Sequence, residues 1–278
     1  MRKMDVLICA ALTDAENLLD LTVRSILRNF EPLNSIYIVT NGKSQVQQRL
    51  TGIQGLQDHP VILMEDRDVL SEEELCLEGW VRQQIIKMRV DTFTQTENVC
   101  IIGADTVLLQ KITWDDLMIQ DTPVVYFNRD RYPSIHLEYE RARLVNMAKL
   151  LQVAPQKSYL PGNFIMELIV FNGAYLWGLR DYLKGLYGDD YFLRIAPRST
   201  KTLLEKLHFS EWALYSIYLL DVAKAPVQLR LSTSRYMAHI HSENYYKRFG
   251  YDAKIVHFVA KDLNMHEIRC RVNHILGG

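Results

Sequence analysis

A single carboxylate interrupts an apolar segment in the first half of the chain. The segment runs from Val99 to Leu109, and Asp105 is its only charged residue. A carboxylate is costly inside a strand that is buried on both faces, but it is tolerated where a strand ends in a cleft and the charge meets a cation or hydrogen-bond donors. Because hard divalent cations take oxygen ligands, Asp105 suits a metal ion that holds a diphosphate. The alternative is a strand-ending turn in which Asp105 caps the next segment.

A predicted helix from Gly79 to about residue 92 carries cations beside an aromatic ring. Arg82, Gln83 and Lys87 accompany Trp80. Arginine binds phosphate as a fork and lysine binds it as a point charge, so this helix suits a polyanion or a sugar. A solvated amphipathic helix is the simpler interpretation of the same composition.

Ser210 and Glu211 stand at the start of an apolar segment that predicts a helix to residue 220. Ser210 is suited to the N-cap, and Glu211 lies in the first turn, where the helix dipole favours a negative charge. The functional alternative is that Glu211 is a carboxylate in a cleft, acting as a general base or as a ligand of an acceptor.

Histidines occur in two strand-like runs near the end of the sequence. His239 and His241 alternate in one run, and His257 lies in the other. A single histidine in a strand is usually a core or surface residue with a satisfied partner. A metal ion held by one aspartate and a diphosphate nevertheless needs another protein ligand, and imidazole is a common choice.

Strand and helix patterns alternate along the first half, which predicts βαβ units and a mostly parallel sheet. Ligands of such sheets bind beyond the carboxyl ends of the strands. The polar residues at those ends are Thr13, Asp14, Asn41, Asp66, Asp68 and Asp105. The predicted strands are 6–12, 35–39, 61–64, 99–102, 124–127 and 164–171, and the predicted helices are 15–30, 43–50, 79–92, 138–151, 173–187 and 210–220.

The composition excludes several classes of protein. The 278-residue chain has 48% hydrophobic residues and a formal net charge of −1, so it has a sizeable core and no basic field for nucleic acid. Its four scattered cysteines and the absence of a signal peptide or a long apolar stretch predict a cytoplasmic protein without a transmembrane segment. Contact with a membrane surface is left open. The sequence also lacks the GxGxxG, P-loop, GxSxG and HExxH motifs.

Four segments, taken together and in order, resemble one protein family. They are Gly79–Met88 (GWVRQQIIKM), Ile101–Val107 (IIGADTV), Asn163–Phe164 and Phe209–Tyr215 (FSEWALY). The family is bacterial, is described mainly as a domain of unknown function, and is placed among the GT-A nucleotide-diphospho-sugar glycosyltransferases. The resemblance covers roughly residues 5 to 260.

Asp105 matches the second aspartate of the family's DxD motif, and Gly103 stands in place of the first. The run Ile255–Phe258 is similar to the histidine strand that completes the metal site of glycogenin-like transferases. The resemblance therefore implies that Asp105 and His257 bind Mn²⁺ or Mg²⁺.

The implied fold is α/β of the GT-A type, with a mostly parallel central sheet flanked by helices and a small C-terminal subdomain over the cleft. The expected organisation is a single domain over residues 1–278, with a nucleotide-binding half (1–127) and an acceptor-side half (128–278).

The implied activity is sugar transfer from a nucleotide-diphosphate donor to a bacterial surface glycan or its lipid-linked precursor, in the cytoplasm or at the inner face of the membrane. Glu211 and Asp105 are the expected catalytic residues. The expected donor-binding residues are Ala11, Thr13, Asn41, Asp66, Arg82, Gln83, Lys87 and Ala104. The expected acceptor-binding residues are Trp80, Asn163, Ser210 and Trp212.

Three other functions stay open on the sequence. The glycine at position 103 favours a non-catalytic nucleotide- or glycan-binding protein on the same fold. The aspartates at 66 and 68 suit a phosphotransferase of a Rossmann-like fold. A scaffold or partner-binding subunit is the third, and it requires a large apolar surface patch.

Overall fold

The structure is a computed structural model that describes residues 2–11, 18–127, 134–156, 164, 168–197, 209–231, 237–240, 253–258 and 265–276. For residues 134–137, 237–240, 265, 267 and 271 it describes the backbone alone. The strands are β1 (Met4–Ala10), β2 (Leu33–Thr40), β3 (Val61–Glu65), β4 (Asn98–Ile102), β5 (Thr106–Leu108), β6 (Met118–Ile119), β7 (Thr122–Phe127), β8 (Leu168–Asn172), β9 (Gln228–Leu231), β10 (Met237–Ile240) and β11 (Ile255–Phe258). The α-helices are α1 (Leu19–Asn29), α2 (Lys43–Leu50), α3 (Glu72–Leu75), α4 (Gly79–Met88), α5 (Trp114–Leu117), α6 (Ser134–Leu150), α7 (Gly173–Tyr187), α8 (Tyr191–Ile195), α9 (Glu211–Ile217) and α10 (Met265–Ile275).

The central sheet is mostly parallel and has five strands in the order β3-β2-β1-β4-β8. β1 pairs with β2, and β2 pairs with β3, both in parallel. Every residue of β1 is buried, as expected for a strand covered on both faces. The predicted α/β fold with a mostly parallel sheet is confirmed.

The chain divides into two compact units. The first unit contains Met1–Glu65, Cys100–Leu117 and Thr233–Gly278, and the second contains Asp66–Val99 and Met118–Ser232. Both units are therefore assembled from separated segments of the chain. The predicted division into halves at residue 127 stays a prediction.

The first unit contains a three-stranded sheet in the order β10-β11-β5 in addition to its parallel strands. Apolar side chains of α1, β5, β11 and α10 form one core cluster, which includes Leu21, Val107, Val256 and Val272. This cluster holds the C-terminal helix and strand against the segment that follows β4.

The second unit contains the sheet β6-β7-β9 and the helices α3, α4 and α6 to α9. Two bidentate ion pairs lie beside α4. Arg89 binds both oxygens of Glu74 at 2.6 and 2.7 Å, and Arg180 binds both oxygens of Asp91 at 2.5 and 2.7 Å. The first ion pair connects the end of α4 to α3, and the second connects the turn after α4 to α7.

Most predicted elements agree with the structure to within a few residues. The helices predicted at 43–50 and 173–187 match α2 and α7. The helix predicted at 79–92 ends at Met88 and is followed by a single 3-10 turn over Val90–Thr92. The first predicted helix begins at Leu19 in the described part, and Thr13 and Asp14, the polar residues after the first predicted strand, lie outside the described residues.

Several elements of the described structure were absent from the sequence-based prediction. They are the short elements α3, α5, α8, β5, β6 and β9, and the C-terminal helix α10. None of the helices within the described ranges is both long and apolar enough to cross a bilayer.

Candidate functional site

Asp105 lies in a tight turn between β4 and β5. The Thr106 amide donates to the Gly103 carbonyl oxygen at 3.1 Å, which closes the turn around Ala104 and Asp105. Ala104 is buried, whereas the Asp105 side chain is 37% exposed. A ligand can therefore reach the carboxylate although the backbone beneath it is packed.

Polar residues on the buried face of α1 hold this turn and the strand after it. The Thr22 hydroxyl donates to the Ala104 carbonyl at 2.9 Å. The Leu108 amide donates to Ser25 Oγ at 3.0 Å, and the Asn29 amide donates to the Leu108 carbonyl at 2.7 Å. These three side chains fix the backbone on both sides of Asp105.

This function of α1 was not predicted from the sequence. Thr22, Ser25 and Asn29 are spaced by three and four residues, so they lie along one face of a helix. All three are buried. Three polar residues on the otherwise apolar, buried face of a helix are a signal that could have identified them. Buried polar groups need hydrogen-bond partners, so such residues are expected to bind the backbone of a neighbouring element.

Strand β11 brings His257 to Asp105. β11 pairs antiparallel with β5, and His257 lies opposite Thr106 in the register. The Phe258 amide donates to the Asp105 carbonyl at 3.1 Å, and His257 Nε2 lies 3.2 Å from Asp105 Oδ2. The structure thus brings together the two residues that the family resemblance implies as metal ligands, and their binding of a metal ion stays a prediction.

The spacing of these two side chains suits a divalent metal ion. Two adjacent ligands of an octahedral ion with bonds of about 2.1 Å lie about 3.0 Å apart. The 3.2 Å between Asp105 Oδ2 and His257 Nε2 matches that spacing, and carboxylate and imidazole both bind Mn²⁺. Among the described residues no third histidine, cysteine or acidic side chain joins them. The pair fits two positions of a site whose other ligands come from elsewhere, such as phosphate oxygens and water.

His239, the other histidine considered near this strand, lies opposite His257 in the parallel pairing of β10 with β11. Its backbone alone is described, and His241 lies outside the described residues.

A second cluster lies in the second unit and consists of Lys87, Glu211 and Trp212. Lys87 Nζ is 2.8 Å from Glu211 Oε1, and the two side chains are only 14% and 3% exposed. The same ammonium lies 5.0 Å from the centre of the Trp212 ring, in the geometry of a cation–π contact. Lys87 in α4 was expected to meet the donor diphosphate, but in the structure its charge is opposed by Glu211.

Local structure explains why Glu211 lies at this position. Ser210 is the N-cap of α9, and its hydroxyl accepts from the Ala213 amide at 3.4 Å. This confirms the capping interpretation of Ser210. Glu211 is in the first helical turn, where the positive end of the helix dipole favours its charge. The indole Nε1 of Trp212 is buried and has no hydrogen-bond partner among the described residues, which is unusual in a folded protein.

Arg82 lies elsewhere on α4 and binds a different carboxylate. Its Nε is 3.4 Å from Asp66 Oδ2, and its Nη1 donates to the Leu75 carbonyl at 3.3 Å. The structure therefore brings two of the expected donor-binding residues together, as an ion pair within the second unit. Gln83 and Trp80 are partly buried on the same helix.

The remaining expected residues are placed as follows. Asn41 follows β2 and is exposed, and Ala11 follows β1 and is partly buried. Ala104 contributes its carbonyl to Thr22. Thr13 and Asn163 lie outside the described residues. The donor- and acceptor-binding roles of these residues stay predictions.

Three solved structures resemble this fold. The glycosyltransferase GlyE of Streptococcus pneumoniae TIGR4 superposes with a TM-score of 0.52 at 12% identity, over 100% of this chain and 63% of GlyE. The galactosyltransferase LgtC, solved with donor and acceptor sugar analogues, has a TM-score of 0.49 at 10% identity, over 99% of this chain and 95% of LgtC. Mouse xyloside xylosyltransferase 1 has a TM-score of 0.48 at 11% identity, over 92% of this chain and 97% of that enzyme.

At such low identity the similarity establishes the fold, which is that of the GT-A glycosyltransferases. This chain spans less than two thirds of the GlyE chain. None of the curated proteins is significantly similar to it in sequence. The model of a family of unknown function, DUF6492, matches residues 1–247, and the chain therefore belongs to that family.

Proposed function

We propose that this protein is a glycosyltransferase that uses a nucleoside-diphosphate sugar as its donor. The observation that carries the proposal is the pair formed by Asp105 and His257, whose ligand atoms lie 3.2 Å apart at a turn in a GT-A fold. A carboxylate and an imidazole at that spacing suit a cation, and a cation suits the diphosphate of the donor.

Asp105 and His257 would hold Mn²⁺ or Mg²⁺, which as a Lewis acid would neutralise charge on the departing diphosphate. The chain's own contribution is to keep the two ligand side chains in place before the donor binds. Thr22 fixes the turn beneath Asp105, and the β5–β11 pairing fixes His257. A preorganised site requires less free energy of reorganisation when negative charge develops on the leaving diphosphate.

We further propose that Glu211 is the carboxylate that accepts a hydrogen bond from a sugar hydroxyl of the acceptor. Lys87 binds Oε1, and among the described residues Glu211 has no other hydrogen-bond partner. Oε2 is therefore the oxygen that would meet the hydroxyl, which requires the 3% exposed side chain to become accessible when the acceptor binds. In an inverting reaction it would take the proton, and in a retaining reaction it would orient the acceptor or stabilise positive charge on the sugar. Lys87 then acts as a positioning residue for Glu211.

The finer assignment, transfer to a bacterial surface glycan or its lipid-linked precursor on the cytoplasmic side, is supported by the family resemblance. GlyE, a glycosyltransferase of Streptococcus pneumoniae, has a similar fold.

The donor site is tested by calorimetry of UDP, GDP, CDP and ADP with and without Mn²⁺. We expect Mn²⁺-dependent binding of one of these nucleotides, and loss of that binding in Asp105→Asn, which keeps the shape of the side chain but removes its charge. Asp115→Asn, an exposed aspartate of the same unit, is the matched control and should bind as the parent does. Absence of binding by all four nucleotides in the parent would end the proposal.

A non-catalytic nucleotide- or glycan-binding protein is the second candidate, because Gly103 replaces the first aspartate of the DxD motif. Hydrolysis of nucleotide sugars separates the two functions, since transferases often transfer slowly to water. A transferase should release free sugar with the parent protein and orders of magnitude less with Asp105→Ala. A pure binder should release none with either.

A further inference from the structure

A pocket of the first unit lies on the side of α1 that faces away from the Asp105 turn. The buried positions 22, 25 and 29 hold that turn, whereas Arg24 and Arg28 occupy the exposed face of the helix. The pocket has a volume of about 540 Å³ and is also lined by Gln54, which precedes β3, and by Asn273 of α10. This size is within the range of small-molecule sites.

The charge of this pocket is positive and poorly balanced. Its described lining residues include the two guanidinium groups but no carboxylate. Arg28 donates through Nη1 to the Leu276 carbonyl, and Arg24 has no ion-pair partner among the described residues. An anion that enters would therefore meet cationic groups that are not already neutralised.

Arg24 and Arg28 are thus the cationic groups that line the described part of the pocket. Clustered charge of one sign raises the local concentration of the opposite ion.

We propose that this pocket is a second site, which binds a molecule that carries a phosphate group. Arg24 and Arg28 are four residues apart on a helix, so their Cβ atoms lie about 5–6 Å apart on one face. Guanidinium forks match the oxygens of a phosphate, and the amides of Gln54 and Asn273 can donate to the same group. Leu27 and Leu276 form an apolar wall for the part of the ligand next to the phosphate.

The same chemistry fits a soluble phosphate compound and the headgroup of an anionic lipid. The experiment therefore has two arms, pyrophosphate in calorimetry and sedimentation with phosphatidylcholine vesicles that contain or lack phosphatidylglycerol. Both arms use the full chain with Asp105→Asn, which removes the proposed donor site. The result is thus independent of the proposed sugar transfer.

Arg24→Glu is the test variant, because Arg24 is exposed and its replacement breaks no ion pair of the described structure. Lys111→Glu is the matched control, since it makes the same change of charge at a 72% exposed side chain of the same unit outside the pocket. We expect Arg24→Glu to weaken binding about tenfold or more, as for loss of a charge-assisted contact. Lys111→Glu should retain it.

If Arg24→Glu loses pyrophosphate binding and Lys111→Glu retains it, the site is assigned to a soluble phosphate compound. If Arg24→Glu loses phosphatidylglycerol-dependent sedimentation and Lys111→Glu retains it, the site is assigned to a lipid headgroup. The proposal is overturned if neither probe binds, if Arg24→Glu binds as tightly as its parent, or if both charge reversals weaken binding equally.

Discussion

Lys87 and Glu211 form a buried ion pair between α4 and α9, with Nζ 2.8 Å from Oε1 and the ammonium over the Trp212 ring. Burying two charges costs free energy of desolvation, which the attraction between them does not always offset. A buried pair is therefore weak evidence for stability. We infer that the pair is kept because it holds the Glu211 side chain at a defined position.

Lys87→Met should destabilise the protein strongly. It leaves Glu211 buried without a counter-charge, and breaking such a pair costs about 3 kcal/mol or more. The double variant Lys87→Met, Glu211→Gln removes both charges and should recover a large part of that loss. Urea unfolding measures both values. Lys149→Met, at an exposed helical lysine, should cost less than about 0.5 kcal/mol. Equal losses in Lys87→Met and Lys149→Met would contradict the buried pair.

Thr22→Val should weaken the proposed donor site without changing any ligand residue. It removes the hydrogen bond to the Ala104 carbonyl, beside Asp105, and should cost about 1 kcal/mol in the free energy of unfolding. Calorimetry should show weaker Mn²⁺-dependent nucleotide binding. Thr51→Val is the control, because that hydroxyl bonds to its own helix at Gln47. If Thr22→Val binds like the parent, the turn does not need this support.

His257→Gln should reduce Mn²⁺-dependent nucleotide affinity by about tenfold to a hundredfold, which is the range for weakened metal sites. The reason is that His257 Nε2, which lies 3.2 Å from Asp105 Oδ2, is the proposed second ligand atom of the metal ion. His274→Gln, at an exposed histidine of α10, should have no effect. Titration with Mn²⁺ at fixed nucleotide concentration measures both variants. Unchanged Mn²⁺ dependence in His257→Gln would exclude the histidine from the metal site.

Tyr215→Phe should flatten the loss of stability at alkaline pH. Burial raises the pKa of Tyr215, while the backbone amide of Asn172, which donates to its hydroxyl at 3.0 Å, lowers it by a smaller amount. The folded protein keeps this proton above about pH 10, where the unfolded chain loses it. Stability from this group is therefore complete below about pH 10 and declines as the pH rises above that value.

Urea unfolding of Tyr215→Phe across this pH range provides the measurement. At neutral pH the variant should be less stable by about 1–2 kcal/mol, because the Asn172 amide loses its acceptor. The difference from the parent should shrink above about pH 10. Tyr139→Phe, at a partly exposed tyrosine, should follow the parent curve. A constant difference at every pH would contradict the shifted pKa.

Several parts of the site could be predicted because they depend on neighbouring residues. An apolar run that ends in glycine and aspartate placed Asp105 after a buried strand, and a serine before an acidic residue and an apolar segment placed Ser210 at a helix N-cap. The His257 pairing came from the family resemblance, since nothing in a short apolar run identifies its partner strand.

Other parts could not be read from local patterns. Lys87 looks like a cation available for phosphate until the fold places it against Glu211, which is far away in the sequence. Thr22 looks like an ordinary helical threonine until its hydroxyl meets the Ala104 carbonyl. Such contacts depend on how strands and helices pack, and no local periodicity encodes the distance between two side chains on different elements.

The sequence by itself determined the alternation of strands and helices, the strand end at Asp105 and the cap at Ser210, because hydrophobic periodicity and capping act over a few residues. Only the tertiary structure decided which charges neutralise each other and which side chains support the turn of Asp105. The physical reason is that desolvation and hydrogen bonding depend on neighbours in space, and those neighbours come from separate segments of the chain.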